Sequence, residues 1–158
     1  MWHGHQPALH RIKLKKRQKM RMQFSINPPA IIRIRSDTDG YGSARGPYVS
    51  LPANTSSHQL PHELIHVKQW WAATIISAVL LASIHLVFPS VPYSVAAASI
   101  VVHGGLYTLS KRYRFWAAAE AYRASVKATP ARREAFVKML HGYNTGKTLA
   151  QCRAALKD

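Results

Sequence analysis

The stretch LPHELIH, residues 60–66, contains the motif H-E-x-x-H. On an α-helix, residues four apart lie on one face about one turn apart. His62 and His66 are therefore predicted to present imidazole nitrogens to one metal ion, with Glu63 displaced around the helix toward a metal-bound water. Zn²⁺ suits this arrangement because it accepts imidazole nitrogen and, with three protein ligands, keeps a position open for water. We expect a zinc site in which Glu63 is the catalytic base.

Composition and local sequence support this interpretation. The chain has 158 residues, with 22 Lys+Arg, 6 Asp+Glu and a formal net charge of +16, so a glutamate between two histidines in register is less expected by chance. Pro61 is tolerated in the first turn of a helix, and Ser56, Ser57 or His58 provides an entry to it. The metal-binding helix is predicted to begin just before the motif. The alternative is a His/Glu helix face exposed to solvent.

A catalytic zinc needs a third protein ligand. The metzincin pattern fails, because Gln69 and Ala72 stand where it requires a Gly and a His. Glu120 fits a second-helix ligand: it is the one carboxylate of the Ala- and aromatic-rich segment 115–124, and a buried carboxylate is costly unless paired or bound to metal. The alternatives are a surface Glu120 paired with a nearby cation, or His103 as the ligand, although a histidine in an apolar stretch is more often a core residue.

With these residues the chain resembles zincin-type metallopeptidases of the gluzincin branch. More narrowly, it resembles small H-E-x-x-H proteins of bacteriophages and prophages, in which a segment like residues 60–69 is followed by an aromatic-rich E-A-x helix. The resemblance covers mainly residues 48–71 and 112–126. The chain departs from larger peptidases in its small size and in the long uncharged segment between the two ligand helices.

The resemblance implies that His62, His66 and Glu120 bind zinc and that Glu63 is the general base. The implied fold is an α+β, mostly helical, zincin-like minimal domain. The implied activity is zinc-dependent hydrolysis of peptide bonds in a peptide or protein substrate. The other hypothesis is a non-catalytic zinc-binding structural protein, such as a phage particle component whose basic arm contacts nucleic acid or membrane.

Peptide hydrolysis also needs a donor for the oxyanion that develops in the transition state. Tyr122, Tyr113 and His103 are the candidates, and the sequence does not choose among them. Gln69, one turn beyond His66, is predicted to support the metal ligands from the second shell. The alternative is that Gln69 is a surface residue.

Short strands are predicted before the motif. Residues 22–26 and 30–35 alternate apolar and polar side chains around a turn at 27–29, and this period of two is typical of strands. Tyr48–Leu51 is predicted to be an edge strand. In zincins a strand upstream of the metal helix pairs with extended substrate, so the resemblance makes this segment a candidate substrate-binding edge.

Between Lys68 and Lys111 the chain has no Asp, Glu, Lys or Arg. Two apolar runs, separated by a Pro-containing break at 89–92, predict an uncharged helical hairpin over residues 69–110. Each run is near the short end of the length that crosses a bilayer, and a hairpin leaves both basic flanks on one side. We expect membrane contact through this hairpin; the alternative is a pair of buried central helices.

The predicted organisation is a flexible basic arm, residues 1–21, followed by one zincin-like domain, residues 22–158. The dense positive run at 8–22 is expected to contact nucleic acid without sequence specificity, or anionic lipid. A single cysteine, Cys152, gives no disulfide framework. No apolar run follows the N-terminal charges, so we expect no secretory signal peptide. The expected location is the cytoplasmic side, a membrane or a phage particle.

Overall fold

The computed structural model describes residues 21–36, 40–90 and 92–157. Its regular elements, in chain order, are β1 (Arg21–Ile26), β2 (Pro29–Ile34), β3 (Ser43–Arg45), β4 (Tyr48–Leu51), α1 (Gln59–Val87), α2 (Ser99–Leu109), α3 (Lys111–Ala128), α4 (Arg133–His141) and α5 (Leu149–Ala155). Short 3₁₀ helices, Tyr93–Ala98 and Pro130–Arg132, precede α2 and α4. The predicted α+β class, mostly helical with a small N-terminal sheet, is confirmed.

The N-terminal boundary of the folded part differs slightly from the expected one. Arg21, assigned to the basic arm, belongs to β1 and pairs with Ile34. Residues 1–20 lie outside the described part of the chain, so the flexible arm stays a prediction.

The four strands form one mixed sheet in the order β1-β2-β4-β3. β1 and β2 are an antiparallel hairpin, β4 runs parallel to β2, and β3 is antiparallel to β4. The prediction that Tyr48–Leu51 is an edge strand is wrong, because β4 is paired on both sides. The edges are β1 and β3, and the three residues of β3 are too few to show the alternation by which strands are recognised.

The sheet packs on α1 through a small apolar core. Inward-facing residues of β2 and β4, including Ile32 and Val49, are buried and pack against Val67 on the inner face of α1. The Trp71 indole N–H donates to the Pro29 carbonyl at 2.9 Å. These contacts hold the sheet beside the first three turns of α1, where the H-E-x-x-H motif lies.

A second core joins α3, α4 and α5. Tyr122 of α3 packs on Phe136 of α4, with Leu140, Cys152 and Leu156 buried beside them. The alanines of α3, at 117–119 and 121, are buried, and their small side chains let α3 lie close against its neighbours, as the Ala-rich composition predicts.

α1 is one uninterrupted helix of 29 residues. It begins at Gln59, as predicted, and carries the motif in its first two turns. The first limb of the predicted hairpin is therefore not a separate helix, because no Gly or Pro interrupts the chain between the motif and Val87. The bend falls at 88–92, and the return limb is a 3₁₀ helix followed by the 11-residue α2.

By length and composition, α1 is the one helix of the described residues that could cross a membrane. None of the residues in its most apolar window is buried. The apolar window of α1 is therefore not buried in the core of this fold.

Candidate metal centre

His62 and His66 lie one turn apart on α1, and their ring centroids are 5.1 Å apart. Both line a cavity of about 820 Å³, together with Glu63. We call it the large cavity; α2 forms one wall and residues 42–46, which include β3, form another. The structure thus brings the three motif side chains to one cavity.

The tautomer of His66 follows from the hydrogen bonds of Gln69. The Gln69 amide nitrogen donates to the Ala117 carbonyl at 3.0 Å and to Glu120 Oε2 at 2.8 Å, and both groups can only accept. Gln69 Oε1 therefore faces His66 Nδ1 at 3.1 Å, and this nitrogen carries the proton. Nε2 of neutral His66 is left with a lone pair. Gln69 is only 5 % exposed, so the interpretation of it as a surface residue is wrong.

His62 is held in the same way from α3. Its Nδ1 lies 3.1 Å from Ser125 Oγ, which is itself 3.4 Å from the carbonyls of His58 and Ala121. A Ser125 hydroxyl that donates to one of these carbonyls accepts from His62 Nδ1–H, and in that tautomer the lone pair of His62 is on Nε2; His62 also hydrogen-bonds the Ala121 backbone. Histidine ligands of metals commonly have their other ring nitrogen engaged like this.

Burial keeps both imidazoles neutral. It lowers the pKa of His62 to about 3, and the neighbouring His66 acts in the same direction. Burial also lowers the pKa of His66 below its ordinary value. A metal binds the unprotonated ring, so His62 and His66 fit as two imidazole ligands of zinc.

Glu63 is 7 % exposed, and burial raises its pKa to about 7. The Ala44 backbone N–H of β3 donates to this carboxylate and acts in the opposite direction. Gly42 lies against it: a Cβ built on Gly42 would be 2.9 Å from Glu63 Oε1. In the sequence, Gly42 is only one of several turn residues, so its contact with Glu63 had no sequence signature.

Glu120 does not line the large cavity. It accepts the hydrogen bond from Gln69 and lines a separate cavity of about 320 Å³ beside Lys68 and Trp116. Among the residues that the structure describes, no three His, Cys, Asp or Glu side chains are grouped to hold a metal ion. Glu120 as the third ligand therefore stays a prediction. His103, the rival, lines the large cavity with His62 and His66.

The three predicted transition-state donors lie in different places. His103 faces the large cavity and its Nδ1 is 2.7 Å from the Tyr113 hydroxyl, so Tyr113 lies behind it. The Tyr122 ring packs on His62 with centroids 4.5 Å apart, and burial raises the pKa of its phenol. Tyr143 was not predicted. It follows α4 in a turn that the sequence marks only as a helix stop.

Tyr143 lies where two cavities meet. Its side chain contributes to the raised pKa of Tyr107 and of Tyr122, and it lines both the large cavity and a second one of about 480 Å³. The second cavity is walled by α3 and α4, through Tyr122 and Phe136 among others. The two cavities share Gly42, His62, Glu63 and Tyr143. An extended ligand passing from one to the other would cross the motif.

No family model, curated protein or solved structure matches the chain. No family is therefore shown. The chemistry of the site is carried by the chain's own residues: two neutral imidazoles, one buried carboxylate and the phenol of Tyr143 around connected cavities.

Proposed function

We propose that the protein is a zinc-dependent metallopeptidase. One observation carries the proposal: His62 and His66 are each hydrogen-bonded at Nδ1 by a neighbouring side chain, and both line one cavity with the buried Glu63. A zinc ion bound there would polarise a peptide carbonyl and lower the pKa of a water molecule. The residues around the cavity supply the proton transfer and the substrate contacts.

Glu63 is the general base. It lies one position from His62, with its carboxylate turned toward Ala44 of β3. In the proposed mechanism it accepts the proton of the attacking water and passes it to the leaving amine. A carboxylate beside the attacking water can take its proton and return it as a carboxylic acid. Ala44 N–H and the close approach of Gly42 keep the carboxylate in place.

The edge strand β3 supports an extended peptide as substrate. One side of β3 is paired with β4, and Ser43, Ala44 and Arg45 line the large cavity. Edge strands bind extended peptides through their backbone groups. Tyr143, at the junction of the cavities, is our candidate donor to the developing oxyanion, with His103 beside it.

The third ligand is tested separately. The sequence prediction names Glu120, and the geometry favours His103 as the rival because its ring lines the same cavity as His62 and His66. Glu120→Gln keeps an acceptor for the Gln69 amide but removes the charge. If Glu120 is a ligand, this variant loses zinc; if His103 is the ligand, zinc is lost in His103→Phe and retained in Glu120→Gln.

The experiment for the function is elemental analysis of the purified chain combined with peptide hydrolysis. We expect about one zinc per chain in the wild type and none in His66→Ala, as a catalytic zinc site predicts. Glu63→Gln should retain zinc and lose about 10²- to 10⁴-fold in kcat, the usual contribution of a general base. Full function with zinc in Glu63→Gln would point instead to a structural zinc protein, and a zinc-free wild type would overturn the proposal.

A further inference from the structure

The hairpin exposes a large apolar surface. The second half of α1 and the outer side of α2 turn aliphatic side chains to the outside, among them Ile75, Val79, Leu80, Ile84, Val101 and Leu109. Soluble monomers rarely expose contiguous apolar patches of this kind, so the surface marks an interaction site.

The exposed surface is wider than one protein helix would cover. Ile75 and Ile84 lie on opposite sides of α1, because nine residues at about 3.6 per turn leave a half turn between them. Val79 and Leu80 lie between these two sides and are about as exposed as each other, at 61 % and 60 %. A partner helix contacts a narrower stripe, whereas lipid surrounds a helix on every free side.

Two exposed hydroxyls of the hairpin are hydrogen-bonded within their own helices, whereas the buried Thr74 Oγ1 has no partner among the described residues. The Ser83 hydroxyl donates to the Val79 carbonyl and the Thr108 hydroxyl to the Gly104 carbonyl, both at 2.9 Å. No Asp, Glu, Lys or Arg occurs between Lys68 and Lys111. Unsatisfied polar groups are costly in hydrocarbon, and these hydroxyls are satisfied within their own helices.

The two ends of the hairpin are basic, whereas the hairpin itself is uncharged. Lys68, Lys111 and Arg112 are exposed where the hairpin leaves the folded body. Trp70 and Trp71 lie at the same junction, their indole N–H groups donating to the Ile100 and Pro29 carbonyls. Basic and indole side chains at the base of an apolar segment match anionic lipid headgroups and the interface beneath them.

From these observations we propose that the apolar part of α1 beyond Trp71 inserts into a lipid bilayer and that α2, packed beside it, holds the large cavity at the membrane surface. α2 belongs to both structures: its Ile100 and Val101 are exposed apolar residues and also line the large cavity beside His103. Resting on the proposed peptidase function, the substrate class is polypeptide segments lying at the bilayer surface.

The first test is flotation of the full-length chain with vesicles of phosphatidylethanolamine and phosphatidylglycerol, followed by alkaline carbonate extraction. The wild type should float and resist extraction. Val79→Lys with Leu80→Lys should lower the bound fraction at least tenfold, whereas Ile26→Lys, at an exposed apolar position of β1, should not. A wild type that stays in the aqueous phase as a detergent-free oligomer would show that copies of the chain cover the surface, and would overturn the proposal.

The second test separates the membrane from the chemistry. Glu63→Gln should float like the wild type, since insertion does not use the catalytic base. Casein anchored to the vesicles by a lipid should be hydrolysed at least tenfold faster than free casein, and the Val79→Lys/Leu80→Lys variant should lose this preference. Equal rates on both forms would overturn the substrate class while flotation stands. Flotation without any hydrolysis would overturn the substrate class together with the peptidase function.

Discussion

Glu63 illustrates how the folded chain sets the protonation of one side chain. Burial disfavours the carboxylate and raises its pKa, while the Ala44 N–H favours the charged form. The Glu63 carboxyl therefore has a pKa near neutrality. Its position is limited by Gly42. Gly42 leaves no room for a side chain, since an added Cβ would lie 2.9 Å from both Glu63 Oε1 and Leu51 Cδ2.

Gly42→Ala should therefore displace Glu63. We expect kcat/KM for peptide hydrolysis to fall at least tenfold with zinc content unchanged, because the histidines are held from α3 and by Gln69. The matched control is Gly104→Ala, which also lines the large cavity but whose added Cβ meets nothing within 4 Å. Similar activities for Gly42→Ala and the wild type would show that the close contact has no part in placing the base.

The buried histidines predict acid sensitivity of the metal-free protein. The pKa of His62 is about 3 in the folded chain against an ordinary value of 6.5. Between these values the unfolded chain binds more protons, so the stability from neutral His62 is complete above pH 6.5 and is lost as pH falls toward 3. His62→Gln should reduce the pH dependence of the unfolding free energy in this window, by at most about 1.4 kcal/mol per pH unit.

Urea unfolding of the metal-free wild type and His62→Gln at several pH values between 4 and 8 measures this difference. Glu63 works in the other direction: its raised pKa makes its contribution complete below 4.5 and lost as pH rises through about 7. Glu63→Gln should therefore steepen the rise in stability with pH. Parallel curves for wild type and His62→Gln would contradict a buried, neutral His62.

At the scale of elements, the site depends on how closely α3 approaches α1. Ala117 and Ala121 are completely buried, and their carbonyls lie beside Gln69 and Ser125, which hold the two histidines. Larger side chains at these positions would push the two helices apart. The support for the two histidines is thus built from alanines, not from polar residues alone.

Ala117→Leu should destabilise the fold by about 1–3 kcal/mol, the usual effect of adding volume to a packed interior. It should also weaken zinc binding, because the Gln69 amide would lose its hydrogen bond to the backbone carbonyl of residue 117. Thermal unfolding and chelator competition measure the two effects. Ala128→Leu, at the exposed end of the same helix, is the control, and equal stability of the two variants would rule out close packing at Ala117.

The sequence predicted the elements with strong local patterns. The α1 start, the β1–β2 hairpin, the break at 89–92 and the Ala-rich α3 follow from periodicity, proline and composition. Three features could not be predicted from local sequence patterns, because each depends on residues far apart in the chain. They are the edge strand β3, the contact of Gly42 with Glu63 and the position of Tyr143. Whether Gln69 was buried or exposed could likewise not be read from α1, since the answer lies in Glu120 and Ala117 of α3.

At the scale of the whole molecule, the chain divides into a basic, folded body and an uncharged projection. The sheet, α3, α4 and α5 surround the first turns of α1, while the apolar part of α1 extends beyond them and α2 returns to pack on α1 and α3. The large cavity lies at the boundary between these parts, with β3 on one wall and α2 on the other. The proposed metal site and the proposed membrane segment thus use the same central helix.

The continuity of α1 couples the site to the anchor through helical phase. Inserting one residue after Trp71 would rotate everything beyond it by about 100° and move it by about 1.5 Å relative to His62 and His66. Seven inserted residues would nearly restore the rotation while lengthening the helix by about two turns. We therefore expect natural insertions between the motif and the apolar part of α1 to be seven residues long or a multiple of seven. Single-residue insertions should be absent.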